Sequence, residues 1–484
     1  MILHLYGHDR LYDLQSMATA FFPDRGFGPD GMETASRAYE ENGQLVCETV
    51  IECEGRTAQA RAQAPAHAPD AARTAVKRSF YLAAAQFTGR TPAWGMFTGI
   101  RPVKEMARYA RDWGDKAAQR FSDVYCAAPE KAALCADTLA LRREIGFAPR
   151  PHEISAYISI PFCPSRCSYC SFISQAGEKM LALIPAYLDR LCGEIRLYGE
   201  ALRGSGLALR SVYVGGGTPA VLSAAEIRTL LKTVRRALPL DGLQEFTFEA
   251  GRPDAVDAEK LRVLREYGVD RISINPQTLH DATLARIGRR HTSAQFYTAY
   301  EQAVRMGFRS INTDLILGLP GETDEDMLRS VEGILALGPQ NVTLHALCLK
   351  KSAQLKTDGR TQSVRDMGAV AAAGLAQTAL YERSYRPYYI YRQKNAVGGL
   401  ENTGYTSPGR ACYYNMVMMD DLQTVLGFGA GAISKYIRAG ADPVRAANHK
   451  FPYEYISDTE KIENNLRILK DLTKVDCVLP AADI

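Results

Sequence analysis

Three cysteines fall within eight consecutive positions of this chain, in the run Tyr157-Ile-Ser-Ile-Pro-Phe-Cys163-Pro-Ser-Arg-Cys167-Ser-Tyr169-Cys170. Thiolates hold iron–sulfur clusters, and closely spaced cysteines on one short loop can wrap a single four-iron cube. Three ligands leave one iron of the cube without a protein side chain, open to another molecule. The competing reading is a structural zinc ion, but such closed sites usually take four Cys or His ligands. The nearest histidine, His152, lies ahead of the strand rather than in the loop. The other eight of the eleven cysteines are scattered singly, as small buried hydrophobes are. An odd total spread over 484 residues is not the pattern of a secreted disulfide framework.

A cluster on a loop needs a frame to hold it. Strand-like runs occur at Ala156–Phe162, Ser211–Val214, Glu245–Phe248, Arg271–Ile274, Ser310–Leu317 and Val342–Leu347, with segments of helical period between them. Six strand–helix units predict an α/β fold with a parallel sheet and helices outside it. Six are fewer than the eight of a closed barrel, so the expectation is a partial, open-sided (β/α)6 TIM-like barrel. Barrel chemistry sits at the C-terminal ends of the strands. There the chain carries Gly215-Gly216-Gly217-Thr218, Glu249, Gln277, Asp314 and, twelve residues after Gln277, Arg289 beside Arg290. Consecutive glycines admit a ligand close to backbone N–H groups, and a guanidinium can fork onto a carboxylate. Arg290 competes with Arg289 for that role. Each residue alone is as readily structural; their succession along the strand ends is what points to a site.

This arrangement resembles the radical SAM superfamily, and position by position its oxygen-independent coproporphyrinogen III oxidase group. The resemblance implies a 4Fe-4S cluster on Cys163, Cys167 and Cys170, with S-adenosylmethionine chelating the open iron and yielding a 5′-deoxyadenosyl radical on one-electron cleavage. It implies cofactor contacts from Tyr157, Gly215, Gly216, Gly217, Thr218, Glu249, Gln277, Arg289 and Asp314, and from Tyr169 beside a second S-adenosylmethionine. Residues 389–404, with Arg392, Lys394 and Asn395, the Gly427–Lys435 stretch and the Trp94–Lys104 knot are similar to HemZ-type coproporphyrinogen dehydrogenases. That likeness implies oxidative decarboxylation of coproporphyrinogen III to protoporphyrinogen IX in heme biosynthesis, with an electron donor and an acceptor as partners. A tetra-anionic tetrapyrrole calls for cationic contacts, for which Arg392, Lys394 and Lys435 are the expectations. Two positions depart from the group: Phe172 stands where the decarboxylating oxidases carry a further cysteine, and Ser159 where they have a histidine. The Phe172 pattern is similar to the heme-chaperone branch, whose members bind heme and S-adenosylmethionine. A heme carrier needs an axial ligand, and beyond residue 385 the chain has a single histidine, His449, which favours the enzyme.

The flanks divide the chain into an expected α+β N-terminal domain (1–150), the barrel (151–385) and a C-terminal accessory domain (386–484) on the substrate side. Strands are expected at Ile2–Tyr6 and Leu45–Ile51, a loop between them, and a helix from Pro69 to about Thr88. The net charge of +4 gives no support for a nucleic-acid partner. A start that turns polar at once and the lack of a run of ~20 apolar residues predict a cytoplasmic protein without a membrane span.

Overall fold

Asn42-Gly43 and Glu54-Gly55 both take positive φ at each residue in the computed structural model (50° and 71°, then 50° and 74°). Such paired left-handed residues form the two-residue turn whose twist matches a hairpin. The structure describes residues 1–170, 174–348, 367–438 and 442–474. These form two compact units, the first built on Met1–Asp137 with Tyr391–Glu401, the second on the chain from Thr138 with Ala371–Ile390 and the chain from Asn402.

In the first unit, β1 (Ile2–Tyr6) pairs in parallel with β2 (Met32–Glu41), and the two turns lead β2 into β3 (Gln44–Cys53) and β4 (Arg56–Pro65) as an antiparallel meander. Helices Leu11–Phe21 and Ala71–Thr88 share a core with this sheet, built from Leu14, Met17, Phe21, Val76 and Phe80 with Cys47 and Ile51. The stretch between Tyr6 and Leu45 is therefore not the expected loop throughout. It contains a helix and β2, whose inward residues Met32, Thr34, Ser36 and Ala38 are mostly small or polar, so the two-residue alternation carries little hydrophobic contrast.

A second, larger sheet has most of its residues in the second unit. Its strands are β5 (Glu153–Ile160), β6 (Ala208–Gly216), β7 (Glu245–Gly251), β8 (Arg271–Ile274), β9 (Ser310–Leu317), β10 (Asn341–Ala346), β11 (Arg386–Arg392), β12 (Glu401–Thr406), β13 (Thr424–Phe428), β14 (Ile433–Tyr436) and β15 (Val444–Ala447). The order is β11-β12-β10-β9-β8-β7-β6-β5-β13-β14-β15. Strands β5 to β10 are parallel neighbours in sequence order, the predicted six. The tail extends them at both edges: β13 lies parallel to β5, and β12 antiparallel to β10. Ser223, Thr292 and Thr323 each open a crossover helix with a capping box, which satisfies amide donors a helix start would otherwise leave bare.

Where the strands begin, the tail supplies a plug. Helix Tyr413–Asp420 directs the backbone N–H groups of Tyr413 and Tyr414 at the Glu245 carboxylate (2.7 and 3.2 Å), and Arg271 lies 3.4 Å from the same group. A carboxylate at a helix N-terminus meets both the free donors and the helix dipole. Where β5 ends, Glu194 on helix Ile184–Leu202 accepts from Gly429 N (2.8 Å), Asn448 Nδ2 (2.8 Å) and Tyr455 Oη (2.7 Å). No helix among the described residues is long and apolar enough to cross a membrane.

Burial pushes the Glu194 carboxyl up to about 7 against the pull of its three donors. Its folded value thus exceeds its unfolded one, so its contribution to stability is full below about pH 4.5 and is lost as pH rises through 7. Glu194→Ala should lower stability by about 2–3 kcal/mol in urea titrations, since buried donors lose their acceptor. Glu194→Gln should flatten the difference in midpoint between pH 5 and pH 8.

Candidate active site at the strand ends

The cysteine loop leaves β5 and is tied at both ends, Cys163 N to Gln175 O (2.9 Å) and Gln175 N to Pro161 O (2.8 Å). Its middle is gripped by Arg252, just after β7. That guanidinium donates to Ser165 O and Oγ (3.0 and 2.9 Å), forks onto Asp254 (3.0 and 2.7 Å) and stands 3.9 Å from Cys167 Sγ. Cys163 and Cys167 are buried, Cys170 is partly so, and none of the three is in a disulfide. Among the described residues no three His, Cys, Asp or Glu side chains converge as ligands of a single ion would. On a cube each thiolate takes its own iron, and three thiols on one short loop are a donor set that fits such a cluster.

The end of β6 lies against this loop. A Cβ on Gly217 would come within 2.5 Å of Phe162 O and 2.9 Å of Cys163 Sγ. Gly216, at φ +120°, would put one 2.9 Å from the Ile160 backbone, and Gly215 one 3.0 Å from the Glu249 carboxylate. Thr218 Oγ1 is 3.5 Å from Cys163 Sγ. Glu249 accepts from Tyr213 Oη (2.6 Å), and burial pushes its carboxyl up to about 7. The Tyr213 ring stacks on Tyr414 (4.4 Å between centroids) and on Tyr157 (6.2 Å), so tail, first strand and second strand share one aromatic floor.

Across the sheet, Asp314 on β9 accepts from Asn275 Nδ2 and Asn312 Nδ2, both at 2.7 Å, and His345 on β10 lies 3.7 Å from it. Burial disfavours the charged imidazole, but Asp314 outweighs it and His345 is raised above its ordinary value. Gln277 is buried with φ +69°, its N–H on Asp314 O (3.0 Å); a left-handed non-glycine residue is held only by surroundings that over-determine it. Arg289 donates to Tyr169 Oη through Nε (3.3 Å) and Nη2 (3.0 Å), while its Nη1 is buried with no partner. Arg290 is exposed.

Lys435 is the substrate contact expected on the β14 strand. It is buried in an ion pair with Asp421. Strand register places it opposite Val425, itself level with Ser155 near the start of β5. Five residues of strand, about 16 Å, separate that level from the cysteine loop. Arg392 and Lys394 belong to the first unit, and Phe172 lies outside the described residues. Ser159 donates to Ala430 O (2.9 Å), fastening the glycine-rich tail loop. Tyr213, Arg252 and His345 were not singled out in the sequence. Tyr213, two residues before Gly215, and His345, two after Thr343, were open to alternation counting, whereas nothing local marks Arg252.

Cys163→Ala, Cys167→Ala and Cys170→Ala should each abolish the brown cluster absorbance on anaerobic reconstitution; full iron content in any one would refute the ligand set. Gly217→Ala should lower cluster content several-fold while far-ultraviolet circular dichroism is unchanged, because its methyl would press on Cys163 Sγ.

The radical SAM superfamily profile matches residues 157–333. The oxygen-independent coproporphyrinogen-III oxidase-like protein HemZ of Bacillus subtilis (strain 168) is 35% identical over 80% of this chain and 80% of its own. The heme chaperone HemW of Lactococcus lactis subsp. lactis (strain IL1403) is 34% identical over 57% of this chain and 68% of its own. Among solved structures, coproporphyrinogen III oxidase (HemN) from Escherichia coli superposes with a TM-score of 0.52 at 19% identity, covering 70% of this chain and 79% of that one, which attests the fold. With three cysteines and a glycine-ended strand meeting at the mouth of a six-stranded partial barrel, this chain belongs to the radical SAM superfamily and, within it, to the family of HemZ.

Proposed function

We propose that the chain is an oxidoreductase that decarboxylates coproporphyrinogen III to protoporphyrinogen IX without oxygen, in the cytoplasm. The observation that carries this reading is the HemZ likeness, 35% identity over 80% of both chains, against 26% identity over 68% of this chain for the HemW of Haemophilus influenzae. A likeness that extends past the barrel takes in flanking segments, where substrate selection resides on many barrels. The tail's single histidine adds support: His449 is largely buried and 3.0 Å from the Asp458 carboxylate, a poor candidate for an axial heme ligand.

In this reading Cys163, Cys167 and Cys170 would hold the 4Fe-4S cluster. The open backbone of Gly215–Gly217, with Thr218 and the Glu249 carboxylate, would receive the amino-acid end of S-adenosylmethionine. Asp314 and Gln277 would face its hydroxyls, and Tyr157 would line the cavity floor. The buried, unpartnered Nη1 of Arg289 suits a carboxylate, with Tyr169 holding the guanidinium in place. Bound together, cluster and S-adenosylmethionine supply a carbon-centred radical able to take a hydrogen atom. Each propionate that loses one hydrogen atom, CO2 and one electron becomes a vinyl group; two such events convert the substrate. The cluster needs an electron donor, and the substrate's electron needs a one-electron acceptor.

The HemW likeness and Phe172 favour a second reading, a heme-delivery protein that keeps the cluster and S-adenosylmethionine site. An anaerobic assay with S-adenosylmethionine, reductant, acceptor and coproporphyrinogen III separates the two. The enzyme should give protoporphyrin after oxidation, with 5′-deoxyadenosine in proportion. Deoxyadenosine without any porphyrin change, together with a Soret band on titration with hemin, would transfer the assignment to heme delivery.

A further inference from the structure

The first unit contains a cavity of about 210 Å3 beside the Trp94–Lys104 segment. Among the described residues its lining includes Arg90, Arg392 and Lys394 but no carboxylate, and its aromatic walls are Trp94 and Phe97. Arg392 donates to Phe97 O and to Gly99 O (3.3 Å) and lies over the rings of Trp94 (4.9 Å) and Phe97 (5.8 Å). Its Nε is buried with no partner. Glu401, a carboxylate whose charge reaches it, is taken by Trp94 Nε1 (2.8 Å) and Lys131 Nζ (2.6 Å). Behind the wall Lys77 is buried, with Thr98 Oγ1 (3.1 Å) its hydrogen-bond partner among the described residues; burial brings its ammonium down to about 8. Lys394 stands over the Tyr12 ring (4.4 Å) and donates to its hydroxyl (2.8 Å).

The buried, unpartnered Nε of Arg392 and the buried ammonium of Lys77 on a hydroxyl are costly unless an anion joins them. Aromatic walls reward an apolar planar body. An apolar cavity of about 150 Å3 holds one benzene, so this one has room for a single ring with a short arm and none for a macrocycle. We propose that the cavity binds a planar ring carrying a short carboxylate arm, the carboxylate on Arg392 and Lys394 and the ring against Trp94 and Phe97. Such a group could be a free aromatic acid or one edge of a carboxylated tetrapyrrole; only the second source rests on the function proposed above.

The chain has two tryptophans, Trp94 at 1% exposure and Trp113 at 48%. Trp113→Phe therefore leaves Trp94 as the fluorescent reporter in the full-length, cluster-reconstituted protein. Titration with 3-phenylpropionate should give a saturable change in emission, and its neutral amide should bind about tenfold more weakly, as loss of a charge-assisted hydrogen bond requires. Arg392→Lys should weaken the acid by about tenfold, since a lysine cannot reproduce the fork. Exposed Lys394→Met, which leaves the buried wall intact, should weaken it about threefold. Absence of a saturable change, equal binding of acid and amide, or parental affinity in Lys394→Met would overturn the proposal. Displacement of the acid by coproporphyrin III would assign the site to a tetrapyrrole edge, and failure to displace would assign it to a free acid. Neither result depends on turnover, so the cavity can fail while the decarboxylase stands, and the reverse.

Discussion

Close approach of the β6 terminus to the cysteine loop is the constraint on which the rest of the second unit turns. Side chains at Gly216 or Gly217 would overlap the backbone of Ile160 and Phe162 or the sulfur of Cys163. Only bare backbone permits the loop to lie flat on the sheet, and the loop in turn holds three thiols in a buried setting. Two contacts tighten it around that approach: Arg252 bridges Ser165 and Asp254, and Ser168 N reaches Ile287 O. A radical-generating site must exclude water and stray hydrogen donors, and a close-packed loop over a rigid sheet serves that need.

The tail completes this frame rather than standing beside it. It adds β13 next to β5, plugs the start of the strands with helix Tyr413–Asp420, and sends Tyr414 into the aromatic stack with Tyr213 and Tyr157. An open six-stranded barrel would otherwise expose unpaired edges and an apolar interior at its base. Glu245 and Glu194 anchor the two ends of the tail's path through charge-assisted hydrogen bonds, which exceed neutral ones in strength inside a low-dielectric interior. Both carboxylates carry their cost of burial because several donors meet each of them at once.

Charge is spent differently in the two units. At the barrel base, cations meet anions: Arg271 with Glu245, Arg142 with Asp420, Lys435 with Asp421. Such pairs specify a register more than they add stability. Around the cavity of the first unit, Arg392 and Lys77 meet carbonyls and a hydroxyl instead. That imbalance is what separates a cation with a scaffolding role from one with charge to offer a ligand.

Much of the site was legible in the residues themselves. The cysteine spacing, the glycine run and the strand–helix rhythm are local patterns whose chemistry follows from type and order, and three of the six barrel strands begin or end where the pattern places them. The β2 strand was hidden because Thr, Ser and Ala face inward where contrast was expected. The tail's incorporation into the sheet could not be read either, since pairing β13 with β5 joins residues some 270 apart, and no local propensity records so distant a partner. For the same reason Lys435 looked available in sequence while the tertiary structure had already committed it to Asp421. Sequence alone determined which chemistry the chain can host, because ligand identity and spacing are covalent facts. Which charges remain free to serve that chemistry was decided only by the fold, because an ion pair or a cavity exists between segments and not within one.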